Sequence, residues 1–290
     1  MASPFGERSP SRRRLGAALR RLRIAAGLPG EQLAERLSVS QSQVSRVELG
    51  QTVANPDLVD RWATLCGADD EQRAGLVDAA EAVTVEATAW RKALPRGLAR
   101  MQQETADVEA SATVISAYVP LFVPGLIQTA SYAYELVSAA YPDRADVAAA
   151  VAARMERQTG LYDRSKTLRW VIGEAGLRWR MATTDVMLAQ LDRVAMLAAE
   201  PHLDIRVLPL TCRTAVWHDH GFTIFADRAD DQPDLVHIET LTAGLNVTDA
   251  AQVTAYRQAY DTLAELAVGG AEAARLIRQI MAELAEPSAG

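Results

Sequence analysis

The stretch from Leu33 to Gly50, LAERLSVSQSQVSRVELG, constrains the fold more than any other part of this 290-residue chain. Its first half carries three apolar residues at helical spacing: Leu33, Ala34 and Leu37. This spacing predicts a short amphipathic helix. Residues 38–39 follow as a turn, and the polar residues after them start a new helical pattern. The stretch therefore predicts two short helices joined by a tight turn.

Ser40 is expected to begin the second of these helices. Serine is a favourable N-cap, and Gln43 three residues later completes the S-x-x-Q pattern of a capping box. From 41 to 49, a helical wheel places Val44 and Val47 on one side. We expect these two valines to pack inward, which leaves the opposite side of the helix facing solvent.

The solvent-facing side of the second helix carries amide, hydroxyl and guanidinium groups. Such groups pair with the edges of bases and with phosphates in the major groove of DNA, although many solvated helix faces have the same composition. We expect Gln41, Ser42 and Arg46 to read bases, Ser45 and Thr52 to hold phosphate, and Gln43 to do either.

One further helix is predicted on each side of this pair. The first carries an apolar stripe that ends at a glycine: Leu15, Leu19, Leu22, Ala26 and then Gly27. The last begins with an Asn-Pro N-cap pair and carries a second apolar line: Asn55, Pro56, Leu58, Trp62 and Leu65, before Gly67. Four short helices would then share one small core.

The spacing of six residues across these helices resembles the lambda-repressor-like (Xre) helix-turn-helix family. The residues are Arg23 before Gly27, then Ala34, Ser45, Glu48 and Gly50. The resemblance implies that residues 11–70 form an all-α domain that binds double-stranded DNA. It also implies a partly buried structural ion pair between Arg23 and Glu48.

One position departs from the pattern of this family. The family usually has a phosphate-contacting glutamine near the start of its second helix, where this chain has Gly30 after Pro29. A backbone N–H at a helix N-terminus can still bind phosphate. We therefore expect Gly30 to keep a weaker phosphate contact.

Charge is distributed unevenly along the chain. The net charge is −7, but the first 50 residues hold nine arginines and four acidic residues, so they carry +5 and the remainder −12. The basic part should face DNA and the acidic part should be held away from it. The run Arg12, Arg13 and Arg14 is interpreted either as an arm that reaches phosphate or the minor groove, or as a solubilising tail.

The expected fold class is α+β. Residues 1–10 and 286–290 are expected to be disordered, 71–95 to be a connecting helix and linker with its helix over 69–88, and 96–285 to be a mixed domain. Predicted strands begin at Ser111 and cover 168–174, 203–208, 221–226 and 234–239. Predicted helices begin at Leu98 and cover the region from Leu126 to Val137, 146–161, 185–199, 249–268 and 271–285.

Several segments of the second domain resemble a known arrangement. They are YVPLFVPGLIQT, RMERQ from Arg154 to Gln158, IGEAGLRW around Glu174, IRVLPL and HGFTIF. They resemble actinobacterial Xre regulators that carry a C-terminal domain of undefined biochemistry and are often described as antitoxin-like. The resemblance implies a transcription factor, often associated with a small protein encoded by a neighbouring gene. It does not imply a reaction.

Other chemistries have weaker support in the sequence. His218 and His220 would share one face of a strand, with Cys212 and His237 as further candidate ligands, but no established metal motif accompanies them. No glycine-rich phosphate loop or nucleophile elbow occurs, so we expect no metal, no cofactor and no enzymatic activity. The aromatic residues either form core or line a small-ligand pocket: Tyr118, Phe122, Tyr132, Tyr134, Trp170, Trp179 and Trp217.

The expected protein is therefore a cytoplasmic, nucleoid-associated transcriptional regulator. The two cysteines suggest no disulfide framework, and no apolar run approaches the roughly 20 residues that span a bilayer. A homodimer is expected, because one reading helix contacts only a few base pairs. Two alternatives stay open: an antitoxin-like module that neutralises a partner protein and regulates its own operon, and a ligand-sensing C-terminal domain.

Overall fold

The computed structural model describes residues 10–52, 54–89, 97–213, 220–229, 232–240 and 243–286. A bundle of helices occupies the N-terminal part, and a mixed sheet flanked by helices occupies the C-terminal part. The two parts have separate hydrophobic cores. This arrangement confirms the predicted α+β class.

The described residues of the N-terminal domain form five helices. They are α1 (Pro10–Ala25), α2 (Gly30–Leu37), α3 (Gln41–Glu48), α4 (Pro56–Leu65) and α5 (Asp70–Thr84). Their core contains the predicted inward-facing residues: Leu15, Leu19, Leu33, Ala34, Leu37, Val44, Val47, Leu58 and Trp62. Ala80 of α5 belongs to the same core, and Leu76 and Val77 pack against it. The helix expected as a connector therefore packs on the other four.

Three details of the predicted helices are wrong. Ala26 is exposed because α1 ends one residue before it, and Leu65, the last residue of α4, is 36% exposed. The helix predicted for 69–88 ends at Thr84, and the next residues form strand β1 (Val85–Ala89). The backbone of β1 pairs with the edge of the C-terminal sheet, so tertiary hydrogen bonds override the local helical pattern.

The C-terminal domain is built on an eight-stranded sheet with the order β1-β7-β6-β5-β2-β3-β4-β8. The further strands are β2 (Ala112–Val119), β3 (Thr167–Gly173), β4 (Leu203–Leu208), β5 (Phe222–Arg228), β6 (Leu235–Glu239), β7 (Ala243–Val247) and β8 (Val268–Gly269). β2, β3 and β4 are parallel, and the other pairs are antiparallel.

Helices cover both faces of this sheet. They are α6 (Leu98–Ser111), α7 (Ala130–Ala140), α8 (Val147–Arg157), α9 (Glu174–Arg178), α10 (Thr184–Leu197), α11 (Ala250–Leu266) and α12 (Gly270–Ala285). Short 3₁₀ turns lie at 125–127 and 158–162. α10 and α12 contribute to the core on one face, whereas Tyr260 and Leu263 of α11 belong to the core on the other. None of the described helices is both long and apolar enough to cross a membrane.

The structure also differs from the predictions within this domain. β7 was missed because its sequence, AGLNV, includes glycine and asparagine, which are depleted in strands. Hydrogen bonds from β6 and β1 on its two sides hold it in the sheet. Leu126 lies in a 3₁₀ turn, so the helix predicted from Leu126 to Val137 begins only at Ala130.

Candidate nucleic-acid interface

The start of α3 is fixed by the predicted cap. The backbone N–H of Gln43 donates to the hydroxyl of Ser40 at 3.1 Å. Ser38 in the preceding turn has a left-handed conformation with φ 57°, which lets the chain reverse between α2 and α3. Among the described residues, the side-chain oxygen of Gln43 accepts no hydrogen bond from the backbone N–H of Ser40, so half of the capping box forms and the side-chain amide of Gln43 stays available.

The predicted reading face of α3 is open to solvent at its beginning. Gln41 and Ser42 are exposed in the full chain, and Gln43, Ser45 and Arg46 are half-buried. The acidic C-terminal domain therefore leaves the first turn of α3 accessible.

The other end of the face brings Arg46 and Thr52 together. The carbonyl oxygen of Arg46 accepts hydrogen bonds from the backbone N–H groups of Gln51 and Thr52, at 2.8 and 3.3 Å. The Nε of Arg46 is buried and has no hydrogen-bond partner among the described residues. Buried donors are nearly always paired in folded proteins. Because this Nε is itself buried, a contact between it and a base or phosphate requires the Arg46 side chain to rotate outward.

The predicted phosphate contact of Gly30 lies at the N-terminus of α2. The helix begins at Gly30, and Pro29 at the N-cap position makes no side-chain capping bond. The first N–H groups of a helix lack intrahelical partners, so they are available to an anion. Glu31 lies in the same turn and opposes a phosphate by its charge. The phosphate contact of Gly30 stays a prediction.

The arginine run at 12–14 is helical, and its predicted contact with DNA phosphate stays a prediction. Arg12, Arg13 and Arg14 lie inside the first turns of α1 rather than in an arm or a tail. Burial lowers the pKa of Arg228 in β5, and the positive charge of Arg12 lowers it further. The beginning of α1 therefore lies near the end of β5. Arg13 and Arg14 remain exposed, so they can still attract phosphate from a fixed helical position.

Two glycines hold α1 tightly against the end of α3. A Cβ added to Gly16 would lie 2.8 Å from the carbonyl oxygen of Glu48 and closer still to that of Val47. Gly50 has φ +65°, and a Cβ there would lie 3.0 Å from the backbone nitrogen of Arg13. Sequence reasoning missed Gly16. The available signal was a glycine inside an otherwise good helix, which often marks a close backbone approach.

The predicted ion pair lies in the same place. Nη2 of Arg23 is 2.9 Å from Oε2 of Glu48, and Nε of Arg23 donates to Oε1. Both side chains are largely buried, with 14% and 9% of their surface exposed. The hydrogen bond to Glu48 raises the pKa of Arg23, against the effect of burial. Because Arg23 also donates to the carbonyl oxygen of Leu28, it ties α3 to α1 and to the turn before α2.

The candidate metal ligands do not form one site in the described chain. His218 lies outside the described residues. His220 is 3.1 Å from the hydroxyl of Tyr256, His237 contacts Asn246 at 2.7 Å, and Cys212 is a free, half-buried thiol. Across the described ranges, no group of three or more possible ligands is suited to a metal ion.

The aromatic residues do not line a common pocket either. Tyr118, Tyr132 and Trp170 are buried in the cores of the C-terminal domain. Exposed positions are occupied by the other described members: Phe122, Tyr134 and Trp179. Trp217 lies outside the described residues.

The segments YVPLFVPGLIQT and RMERQ of the C-terminal domain meet in a polar network. Arg154 donates to the side-chain oxygen of Gln128 at 2.6 Å, and Gln158 donates to the carbonyl oxygen of Gln128 at the same distance. Arg157 pairs with Glu109 of α6. Desolvation, with the nearby charge of Arg157, lowers the pKa of Arg154 to about 10, so this guanidinium stays charged at neutral pH. The network ties α6, α8 and the turn before α7 together.

Comparisons with known proteins agree with this division of the chain. A helix-turn-helix domain family matches residues 14–76. A domain of unknown function, DUF5753, matches residues 102–279, which is more than half of the chain. Comparison with curated protein sequences gave no match.

One solved structure aligns with the chain: "Structure of TrmBL2, an archaeal chromatin protein, shows a novel mode of DNA binding". The alignment covers 83% of this chain and 88% of that one, at 12% identity and a TM-score of 0.35, which is too low to support an argument about fold or function. The two domain matches are what define the chain: it belongs to the DUF5753 family and carries an N-terminal helix-turn-helix domain, the domain type of a DNA-binding regulator.

Proposed function

We propose that this protein is a sequence-specific transcriptional regulator of the lambda-repressor-like kind, in which α3 reads the major groove. The observation that carries the proposal is the exposed polar face of α3. Gln41 and Ser42 are open to solvent, and the half-buried Arg46 lies farther along the same helix. Glutamine and arginine are the side chains that pair bidentately with adenine and guanine.

The surroundings of α3 favour base reading over a merely solvated face. A reading helix must keep its orientation, because bidentate pairing depends on geometry. The Arg23–Glu48 ion pair and the close contact of Gly16 fix α3 on its buried side. Rigid support on one side and open polar groups on the other are what such a helix needs.

We further propose that the protein acts as a homodimer through its C-terminal domain. One helix contacts too few base pairs for high specific affinity, so two copies would bind half-sites about one helical turn apart. Apolar side chains are exposed after the parallel strands: Leu121, Phe122, Trp179 and Leu210. They favour a protein contact at that edge, with a second copy or with a small protein encoded nearby.

Arg46→Ala is expected to weaken specific DNA binding by roughly 1 to 3 kcal/mol and to relax the preference at one base position. The reason is the loss of a bidentate contact to a base. Fluorescence anisotropy on a duplex selected by the wild-type protein measures the effect.

Arg278→Ala is the matched control, because it removes an equal charge from the exposed side of α12. This control should bind the selected duplex as the wild type does. Equal affinities of Arg46→Ala and Arg278→Ala would remove Arg46 from the reading residues.

A further inference from the structure

A cavity of about 210 Å³ lies between the sheet and α11, in the C-terminal domain. Its polar lining comes from β2, β3, the end of β5 and α11: Ser116, Arg169, Asp227, Arg257, Tyr260 and Asp261. Ligand pockets for drug-sized molecules are larger, about 300 to 1,000 Å³. The cavity is therefore suited to a small metabolite.

Strand register places two polar side chains at the floor of the cavity. Ser116 in β2 is the Cα partner of Arg169 in β3 and of Ile224 in β5. Ser116 is a polar residue, yet it is only 2% exposed because it lies in the middle of the sheet. The two strands thus bring a hydroxyl and a guanidinium together under α11, where apolar residues would ordinarily complete the core.

Arg169 is held in place but keeps open donors. Its Nε donates to the hydroxyl of Ser116 at 3.0 Å, and its guanidinium carbon lies 5.0 Å from the ring centre of Tyr260. Within the described chain, its Nη groups make no hydrogen bond or ion pair. A guanidinium fixed in this way is prepared for two parallel hydrogen bonds to a carboxylate.

Tyr260 adds a second unused donor. Its side chain is 1% exposed, and its buried hydroxyl has no hydrogen-bond partner among the described residues. Burial raises the pKa of Tyr260, so the hydroxyl stays protonated at neutral pH and can donate. A buried unpaired hydroxyl costs free energy, and an acceptor placed in the cavity removes that cost.

The rim of the cavity carries negative charge. Asp227 and Asp261 are exposed, and neither carboxylate has an ion pair in the described ranges. Arg257 is already paired with Asp234. Asp227 has φ 49°, a left-handed conformation that non-glycine residues adopt rarely and often at functional positions.

We propose that this cavity binds a small zwitterion of the α-amino acid class. Its carboxylate lies against Arg169 and the hydroxyl of Tyr260, and its ammonium group lies against Asp227 and Asp261. Floor and rim then have opposite charges that match the two ends of the ligand. The site goes beyond the proposed DNA reading and supplies a place for an effector of that regulator.

Calorimetric titration of the full chain with each of the twenty L-α-amino acids tests the proposal. At least one amino acid should bind, and its deaminated and decarboxylated analogues should bind at least about tenfold more weakly. Tyr260→Phe and Asp227→Asn should each weaken binding about tenfold. Asparagine retains the tolerance of aspartate for a left-handed backbone, so the second variant removes only the charge.

Tyr132→Phe is the matched control, because Tyr132 is equally buried but belongs to the core on the other face of the sheet. This variant should bind the amino acid as the wild type does. Failure of every amino acid to bind would overturn the proposal, and so would equal binding of the analogue without the amine or unchanged binding by Tyr260→Phe. Arg46→Ala should retain amino-acid binding, which separates this result from the test of DNA reading.

Discussion

Glu48→Gln is expected to lower the free energy of unfolding of the N-terminal domain by about 3 kcal/mol. The substitution leaves the guanidinium of Arg23 largely buried and without its carboxylate partner. Losing one member of a buried pair costs far more than losing the pair as a whole, because the remaining charge stays desolvated. Hydrogen exchange of the buried amides of α4 measures the free energy, since α4 shares its core with α3.

A matched control separates the effect of burying an unpaired charge from the effect of removing a carboxylate. Asp57→Asn removes a carboxylate from the pair between Asp57 and Arg61, in which Asp57 is 80% exposed. This change should cost less than about 1 kcal/mol. The double variant Arg23→Met with Glu48→Met should recover much of the stability lost in Glu48→Gln. Equal effects of Glu48→Gln and Asp57→Asn would show that the buried pair does not hold α3.

Gly16→Ala is expected to destabilise the same domain by about 3 kcal/mol, the upper part of the usual range for overpacking. The added methyl group would meet the carbonyl oxygens of Val47 and Glu48. Backbone atoms cannot rotate away, so α1 and α3 must separate. DNA affinity should fall together with stability, because α3 loses its fixed orientation. Hydrogen exchange and anisotropy on the selected duplex measure the two effects.

The same substitution at Gly75 is expected to stabilise the domain, whereas Gly16→Ala destabilises it. Gly75 lies in the exposed interior of α5, and nothing lies within 4 Å of the position of its Cβ. Alanine there should raise the free energy of unfolding by about 0.5 to 1 kcal/mol, because glycine is a poor helix former. A loss of stability in Gly75→Ala comparable to that in Gly16→Ala would contradict the assigned contact between α1 and α3.

Local signals predicted most of the N-terminal domain. Ser40 and Asn55 cap α3 and α4 as their spacing indicated, with hydrogen bonds to the N–H groups of Gln43 and Leu58. Such caps depend on residues three positions apart, so they can be read directly from the sequence. The resemblance to a family, rather than spacing alone, implied the pair between Arg23 and Glu48, which are 25 residues apart.

Features that depend on distant parts of the chain were missed. β1 and β7 pair at the sheet edge, although they are about 160 residues apart in sequence and neither carries a strong strand pattern. The cavity combines Ser116, Arg169 and Tyr260 from three separate elements. No single segment contains the juxtaposition of these polar groups, so periodicity could not reveal it. Gly16 was also overlooked, because only the packed partner shows why a glycine is needed there.

Selection of random DNA duplexes by the purified full chain tests the central claim most directly, namely that α3 reads DNA sequence. The account predicts an enriched site made of two half-sites about one helical turn apart, with affinity that falls as salt concentration rises. It also predicts that the selected site binds at least about a thousandfold more tightly than unrelated DNA. Absence of an enriched sequence, or of any DNA binding at low salt, would contradict it.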